Sequence, residues 1–190
     1  MLYTGKGDGG TTKTFGHCDQ QRISKSSELP EALGALDELN SFLGLCKVRA
    51  KSVQDSGVKI GKKVFTTPAI LRDVQGTLFI IQAEMAGAPK KTGKAKVTAL
   101  ETIINTIEKE IPPIKTFSIA GGTELSALLD VARTLARRAE RRAVGVHELG
   151  LRSLSPNTRA YLNRLSSLLF ALARLANFKS GIAEESPSYK

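Results

Sequence analysis

The chain has no tryptophan, two cysteines, two histidines and two methionines in 190 residues, and only 5% of it is aromatic. Each scarcity excludes something. Cys18 and Cys46, taken with His17 and His147, have no zinc-finger spacing, and the adjacent His17-Cys18 is too isolated for a metal site. Two cysteines make no disulfide framework, so reduced thiols are expected. Few aromatics against 41% apolar residues favour leucine- and alanine-rich helical packing over a β-sandwich. No apolar run approaches the about 18 residues of a membrane-spanning helix. Met1-Leu-Tyr-Thr-Gly lacks both a basic and an apolar leader region, so a cytoplasmic location is expected. Acidic residues are outnumbered 18 to 28 by Lys and Arg, a net charge of +10. That balance admits nucleic acid, a membrane surface or a polyphosphate as partner. The length suits one domain with a sizeable core.

Helical periodicity is what the chain does have. Residues 1–27 are rich in Gly, Thr, Ser and Lys and read as an ordered loop. Ser27 stands as an N-cap with Pro30 in the first turn, and Leu29, Leu33, Leu36, Leu39 and Leu43 carry a helix to about residue 50. Residues 51–67 are basic and unpatterned and read as a mobile connection. A second helix starts at Thr67-Pro68 on Ile70, Leu71, Val74, Leu78, Ile81 and Met85, and ends at Gly87 and Pro89. A basic loop, Lys90 to Lys96, precedes a third helix from about Val97 to Ile111, stopped by Pro112-Pro113. The short segment Phe117-Ser-Ile-Ala ends in Gly121-Gly122. A fourth helix begins after Thr123 and fades near Gly150. Ser155-Pro156 opens a fifth, with Thr158, Leu162, Leu165, Leu169, Leu172 and Ala176 on its core stripe. Residues 180–190 read as a flexible tail. Five amphipathic helices without strand–helix alternation predict an all-α, antiparallel five-helix bundle in a single domain, its helical part spanning 28–179.

The fourth helix is the unusual one. Val131 to Arg142 holds five arginines and one glutamate in twelve residues. At about 100° per residue, Leu125, Leu128, Leu129, Ala132, Leu135, Ala136, Ala139 and Ala143 form one core stripe. Arg133 and Glu140 share a flank of that stripe, and Arg137 reaches the same edge. Arg138 and Arg141 point nearly opposite the core, toward solvent, and Arg142 stands alone on the other flank. Charges at a core boundary are costly unless paired or ligand-bound. A salt-bridge ladder and a polyanion clamp both satisfy that rule. On the fifth helix, Asn163, Ser167, Phe170 and Arg174 share a face away from the core, which makes Phe170 an exposed aromatic at a subunit contact or ligand wall.

Tyr3-Thr-Gly-Lys-Gly-Asp-Gly-Gly-Thr-Thr-Lys13 supplies glycines for close backbone approach to an anion, with lysine and threonine as further donors. It is not a Walker A loop, since the spacing and the preceding strand are missing. Lys25 lies within reach downstream.

Taken in order, this glycine loop, Leu36-Asp-Glu-Leu-Asn-Ser, Ala132-Arg-Thr-Leu-Ala-Arg-Arg-Ala-Glu-Arg and Tyr161-Leu-Asn-Arg-Leu-Ser resemble the ATP:cob(I)alamin adenosyltransferases of the propanediol-utilisation type. The resemblance runs from Tyr3 to about Asn177. It implies a homotrimer of five-helix bundles, with active sites between subunits. It implies transfer of the 5′-deoxyadenosyl group of ATP to cob(I)alamin, giving adenosylcobalamin and triphosphate. Thr4, Gly5, Lys6, Gly7, Thr12, Lys13 and Lys25 would bind ATP. Arg137, Arg138, Glu140 and Arg141 would hold the nucleotide and its phosphates, with Asn163 helping. Asp37 would pair with Arg133 of a neighbouring subunit. Phe117 would press on the lower corrin face and help displace the dimethylbenzimidazole ligand. Glu140 would bind Mg²⁺ or orient Arg137. The resemblance also implies a reductase and a cobalamin-dependent acceptor enzyme as partners. Three positions depart from the family pattern: Gly5-Lys6 in the loop, Ala120 for a frequent proline, and Ser167 for a frequent aspartate.

The chemistry suits the residues present. Cob(I)alamin is itself the nucleophile, and no Ser-His-Asp or Cys-His set is required or found. A non-catalytic cobalamin carrier is the alternative. A nucleic-acid binder is disfavoured because the basic residues scatter over 51–67 and 90–96 without an aromatic stacking set.

Overall fold

A computed structural model describes residues 2–14, 22–53 and 57–189 of the chain. His17 and Cys18 lie outside the described residues. Among the described residues five helices carry the fold: α1 (Glu28–Lys51), α2 (Thr67–Ala86), α3 (Lys94–Glu110), α4 (Glu124–Glu148) and α5 (Pro156–Lys179). Two short antiparallel hairpins accompany them, β1 (Thr11–Thr12) with β2 (Ile23–Ser24), and β3 (Val58–Ile60) with β4 (Lys63–Phe65).

Local chemistry sets most helix starts. Thr66, Thr123 and Ser155 each accept a hydrogen bond from a first-turn amide, those of Ala69, Ser126 and Thr158. Ser27 sits at the N-cap of α1, but its hydroxyl donates to the Ser24 carbonyl instead of capping. Two expectations are corrected. Residues 58–65 form a hairpin rather than an unpatterned connection. Three-residue strands are too short to show alternation, and Gly61, at φ 59°, supplies the turn. Helix α3 begins three residues earlier than Val97, so Lys94 to Lys96 form its first turn, where Lys96 pairs with Asp73 of α2.

α4 lies at the centre, packed on one side by α1 and on the other by α5; α2 lies against α1 and α3 against α5. Ion pairs give the directions. Arg49–Glu124, Arg138–Glu38 and Arg142–Glu31 make α1 and α4 antiparallel. Arg164–Glu101 and Lys179–Glu110 make α3 and α5 parallel. The α4 stripe predicted to face the core does so: Ala132, Ala136, Ala139 and Ala143 are at most 1% exposed. Small side chains there let two helices approach α4 closely. Leu36, Leu39 and Leu43 of α1 and Leu162, Leu165 and Leu169 of α5 complete the central layer. Cys46 is part of this core, and burial pushes its thiol up to about 11.

A buried acid joins α2 to α5. Glu84 accepts the Ser155 amide at 2.7 Å and the Thr158 hydroxyl, which also lies 2.9 Å from that of Thr92. Its charge sits at the α5 N-terminus, where the helix dipole favours it. The C-terminal segment, expected to be flexible, is held. Glu184 pairs with the buried Arg174, and the Glu185 carbonyl accepts the Ile119 amide at 2.7 Å. The side-chain pattern of residues 180–190 gives no sign of this, because Glu184 carries no apolar period and the Glu185 contact is made by backbone.

Glu84→Ala strands the Ser155 amide and leaves the Thr158 hydroxyl with Thr92 as its remaining acceptor; it is expected to cost about 2–3 kcal/mol, read as a lowered urea midpoint with an unchanged slope.

Candidate functional site

The site is built around the start and middle of α4. Gly121 and Gly122 have φ of 133° and 99°, in the region that favours glycine. The Asn177 side chain fits tightly over this turn: Oδ1 accepts the Thr123 amide at 2.9 Å and Nδ2 donates to the Gly121 carbonyl at 2.8 Å. A Cβ on Gly122 would stand 2.4 Å from that Oδ1. The turn therefore fixes where residues 112–120 leave the bundle.

The arginines of α4 divide between its two seams. Toward α5, Arg133 Nε donates to Asp130 Oδ1 at 3.2 Å, and its guanidinium carbon lies 5.8 Å from the Phe170 ring centre. Asp130 is a residue the sequence reading missed; its i, i+3 spacing to Arg133 was the available signal. Arg137 is exposed and makes no hydrogen bond or ion pair among the described residues. Glu140 Oε1 accepts Asn163 Nδ2 at 3.0 Å, and Asn163 Oδ1 accepts Arg164 Nη1 at 2.6 Å. Toward α1, Arg138 pairs with Glu38, and Arg142 lies 3.9 Å from Glu31. Arg138 is exposed, as its helical angle predicts, and is also paired. Arg141 is exposed, beside a shallow surface hollow shared with Arg138 and Arg142.

Phe117, Arg133, Arg137, Ser167 and Phe170 line one open cleft of about 390 Å³. Phe117 is 81% exposed there. Phe170 is not the exposed aromatic expected. It is half-buried between Arg133 and Arg174, whose guanidinium carbon lies 6.0 Å from its centre. Arg174 itself is buried, because the C-terminal segment covers a face of α5 that helical geometry alone assigns to solvent.

The N-terminal loop is a compact series of turns. The Asp8 amide donates to the Gly5 carbonyl and the Gly10 amide to that of Gly7, with Gly5 and Gly10 at positive φ. Lys25 folds over it: its Nζ lies 2.9 Å from where a Gly7 Cβ would stand. Thr4 Oγ1 accepts the Lys6 amide at 3.4 Å, Thr12 is half-buried in β1, and Lys6 and Lys13 are exposed. Arg22, also missed, ties the hairpin through Thr11 Oγ1 at 2.7 Å and the Thr11 carbonyl at 2.6 Å.

Two sets of predicted residues are thus each assembled, the loop by its turns and the α4 set along its helix. No hydrogen bond or ion pair among the described residues joins the loop to α4. Asp37 is exposed on α1, across α4 from the seam that holds Arg133, and has no ion pair among the described residues. No cluster of three His, Cys, Asp or Glu side chains able to hold a metal occurs among them either.

The chain matches the family model described as cobalamin adenosyltransferase over residues 2–176. It is 39% identical over 181 residues to the corrinoid adenosyltransferase PduO of Citrobacter freundii, spanning 91% of this chain and 49% of that protein. It is 38% identical to the corrinoid adenosyltransferase of Bacillus subtilis, over 96% of this chain and 90% of that one. The chain therefore spans about half the length of the first relative and most of the second. Among solved structures, it superposes on a variant PduO-type ATP:corrinoid adenosyltransferase from Lactobacillus reuteri complexed with cobalamin and ATP. The TM-score is 0.83 at 28% identity, covering 98% of this chain and 99% of that one. Another variant of that enzyme, complexed with ATP, gives a TM-score of 0.81 at 28% identity, over 98% and 100% of the two chains.

Proposed function

This chain belongs to the cobalamin adenosyltransferase family, and from that premise we propose that it transfers the 5′-deoxyadenosyl group of ATP to cob(I)alamin. The observation that carries the reading is the cleft that the exposed Phe117 ring shares with Arg133, Phe170 and Arg137, a cation with no ion pair among the described residues. An apolar plane and a cation without a partner suit a flat corrin and a polyphosphate.

In the step itself, the cobalt(I) lone pair attacks C5′ of ATP. The C5′–O bond breaks and its electron pair leaves with triphosphate. The protein supplies no nucleophile and no proton acceptor. Its tasks are alignment of cobalt with C5′ and stabilisation of the leaving triphosphate. Arg137 is free to make charge-assisted hydrogen bonds to phosphate oxygens. Arg133 is held by Asp130 through Nε alone, which leaves its terminal nitrogens available to a second acceptor. Arg138 and Arg141 supply further positive charge to the nucleotide. Glu140 and Asn163 fix each other on the α5 seam and so set the edge along which the nucleotide lies.

The active site is completed between subunits of a homotrimer. In support, no hydrogen bond or ion pair among the described residues joins the N-terminal loop to α4. The loop Thr4 to Gly7, with Thr12, Lys13 and Lys25, binds ATP from one subunit, against α4 of the next. The exposed Asp37 of one subunit then meets Arg133 of another. Mg²⁺ fits this donor set: one carboxylate, that of Glu140, beside substrate phosphates is the usual protein contribution to a Mg²⁺–nucleotide complex. When bound, the ion neutralises triphosphate charge. Phe117 presses on the lower corrin face and excludes the dimethylbenzimidazole ligand, leaving a four-coordinate cobalt that is easier to reduce. A reductase supplies the electron, and a cobalamin-dependent enzyme takes the product.

Anaerobic incubation of the protein with ATP, Mg²⁺ and cob(I)alamin is expected to yield adenosylcobalamin and triphosphate in equal amounts; nucleotide binding without conversion identifies a carrier instead. Arg137→Ala is expected to lower kcat/KM by about 10²- to 10³-fold with the thermal midpoint unchanged. Phe117→Ala is expected to impair turnover from cob(II)alamin by about tenfold or more while leaving turnover from pre-formed cob(I)alamin much less affected. Equal losses in the two assays contradict the role given to Phe117.

A further inference from the structure

Phe117 is the most exposed aromatic of its cleft, and no packing of its own holds it. At 81% exposure its ring touches little of the protein. The segment that carries it, residues 112–120, forms no helix or strand and makes no backbone hydrogen bond within itself. Something outside the segment must therefore set where the ring stands.

Three contacts do so, and they come from the C-terminal residues 184–186 together with one buried arginine. Arg174 is 8% exposed. Its Nη2 donates to the Pro112 carbonyl at 2.9 Å and to Glu184 Oε2 at 3.0 Å; its Nε donates to Glu184 Oε1. The Thr116 and Ser186 hydroxyls are 2.8 Å apart. The Ile119 amide donates to the Glu185 carbonyl at 2.7 Å. The anchored positions, 112, 116 and 119, bracket Phe117 on both sides. Beyond it, Phe117 faces a second hollow, of about 590 Å³, edged by Ser186 and Pro187. The same Arg174 guanidinium sits over Phe170, which also lines the cleft.

We propose that Arg174 and Glu184 are positioning residues, forming with Ser186 a clamp through which the C-terminal segment holds Phe117 at the mouth of the cleft. The bidentate fork sets the geometry: a planar guanidinium bound to one carboxylate has a fixed orientation, and the second hydrogen of Nη2 meets the Pro112 carbonyl. An arginine buried to this degree is strongly destabilising when unpaired, so docking of Glu184 and retention of Pro112 are coupled. The consequence for Phe117 rests on the adenosyltransferase reading; the clamp itself does not.

Hydrogen–deuterium exchange on the full chain tests the clamp directly. Glu184→Ala, and a chain ending at Ile182, are expected to raise exchange of the Ile119 amide by at least about tenfold while the helices keep their protection. Ser186→Ala leaves Arg174 paired and keeps the test decisive if the other two fold poorly; a smaller rise in exchange is expected there. Unchanged exchange in every folded variant overturns the clamp, whatever the protein's activity. The positioning role has its own readout. With ATP bound, the four-coordinate fraction of cob(II)alamin, measured by electron paramagnetic resonance, is expected to fall in Glu184→Ala by about the factor seen in Phe117→Ala. KM for ATP should stay within about twofold. Glu184→Gln, which keeps the acceptor, should recover part of the loss, and the Phe117→Ala, Glu184→Ala double variant should be no worse than Phe117→Ala. A normal four-coordinate fraction in Glu184→Ala, or additive losses in the double variant, overturns the positioning role. Failure of the wild-type chain to adenosylate cob(I)alamin counts against the functional reading alone, since the exchange result stands without it.

Discussion

A helix packed on two sides has nowhere to hide five arginines, and most of this structure follows from that constraint on α4. Its alanine stripe is closed off by α1 and α5, so the guanidiniums leave along the two seams or from the exposed face between them. Each seam demands compensation, because a charge at a core boundary loses part of its hydration. On the α1 side the compensation is acidic and local: Glu38 and Glu31 answer Arg138 and Arg142. These partly exposed pairs contribute little stability each, but they fix the register of α1 against α4. On the α5 side the compensation is incomplete. Asp130 and Phe170 hold Arg133, Asn163 holds Glu140, and Arg137 between them has no hydrogen bond or ion pair among the described residues. A clamp for an anion needs this asymmetry. Cations already satisfied by carboxylates have less to offer a phosphate.

The helices were legible because their signals are local and redundant. Leu29 to Leu43 and Ile70 to Met85 repeat at helical spacing over several turns, and Pro68 and Pro156 mark two starts. The seam assignment of Arg133, Arg137 and Glu140 was legible for the same reason, since angle on a helix is fixed by sequence separation. What stayed hidden is tertiary. The β3–β4 hairpin is too short for a period to show. Arg138 reads as solvated on its own helix, and only the arrival of Glu38 from α1 gives it a partner. Phe170 and Arg174 point away from the α5 core stripe, and nothing on α5 shows that residues 184–186 return to cover them. The Ile119–Glu185 bond is backbone to backbone and leaves no trace in side-chain type. The glycine loop and the arginine helix were legible separately, and no hydrogen bond or ion pair among the described residues joins them.

The apolar wall of the cleft has an energetic difficulty that its cationic wall does not. Arg137 is hydrated until an anion arrives, and its side chain rests on a rigid helix. Phe117 stands in water on a segment that has neither helix nor strand to stiffen it. Covering its ring with a flat apolar ligand contributes roughly 1.5–3 kcal/mol. Ordering a single loop residue costs about 1–2 kcal/mol of backbone entropy. If residues 112–120 had to be ordered at the moment of binding, two or three of them would consume the whole gain from the ring. An exposed phenylalanine can therefore contribute to binding only where its segment is already ordered. Asn177 at the Gly121–Gly122 turn, with the Arg174 clamp at Pro112, meets that requirement at both ends of the segment. Both ends are fixed by α5, the same helix that carries Phe170, Asn163 and Ser167. The apolar wall thus takes its position from the helix that packs against the arginines, and the two walls of the cleft are held in register by the α4–α5 seam.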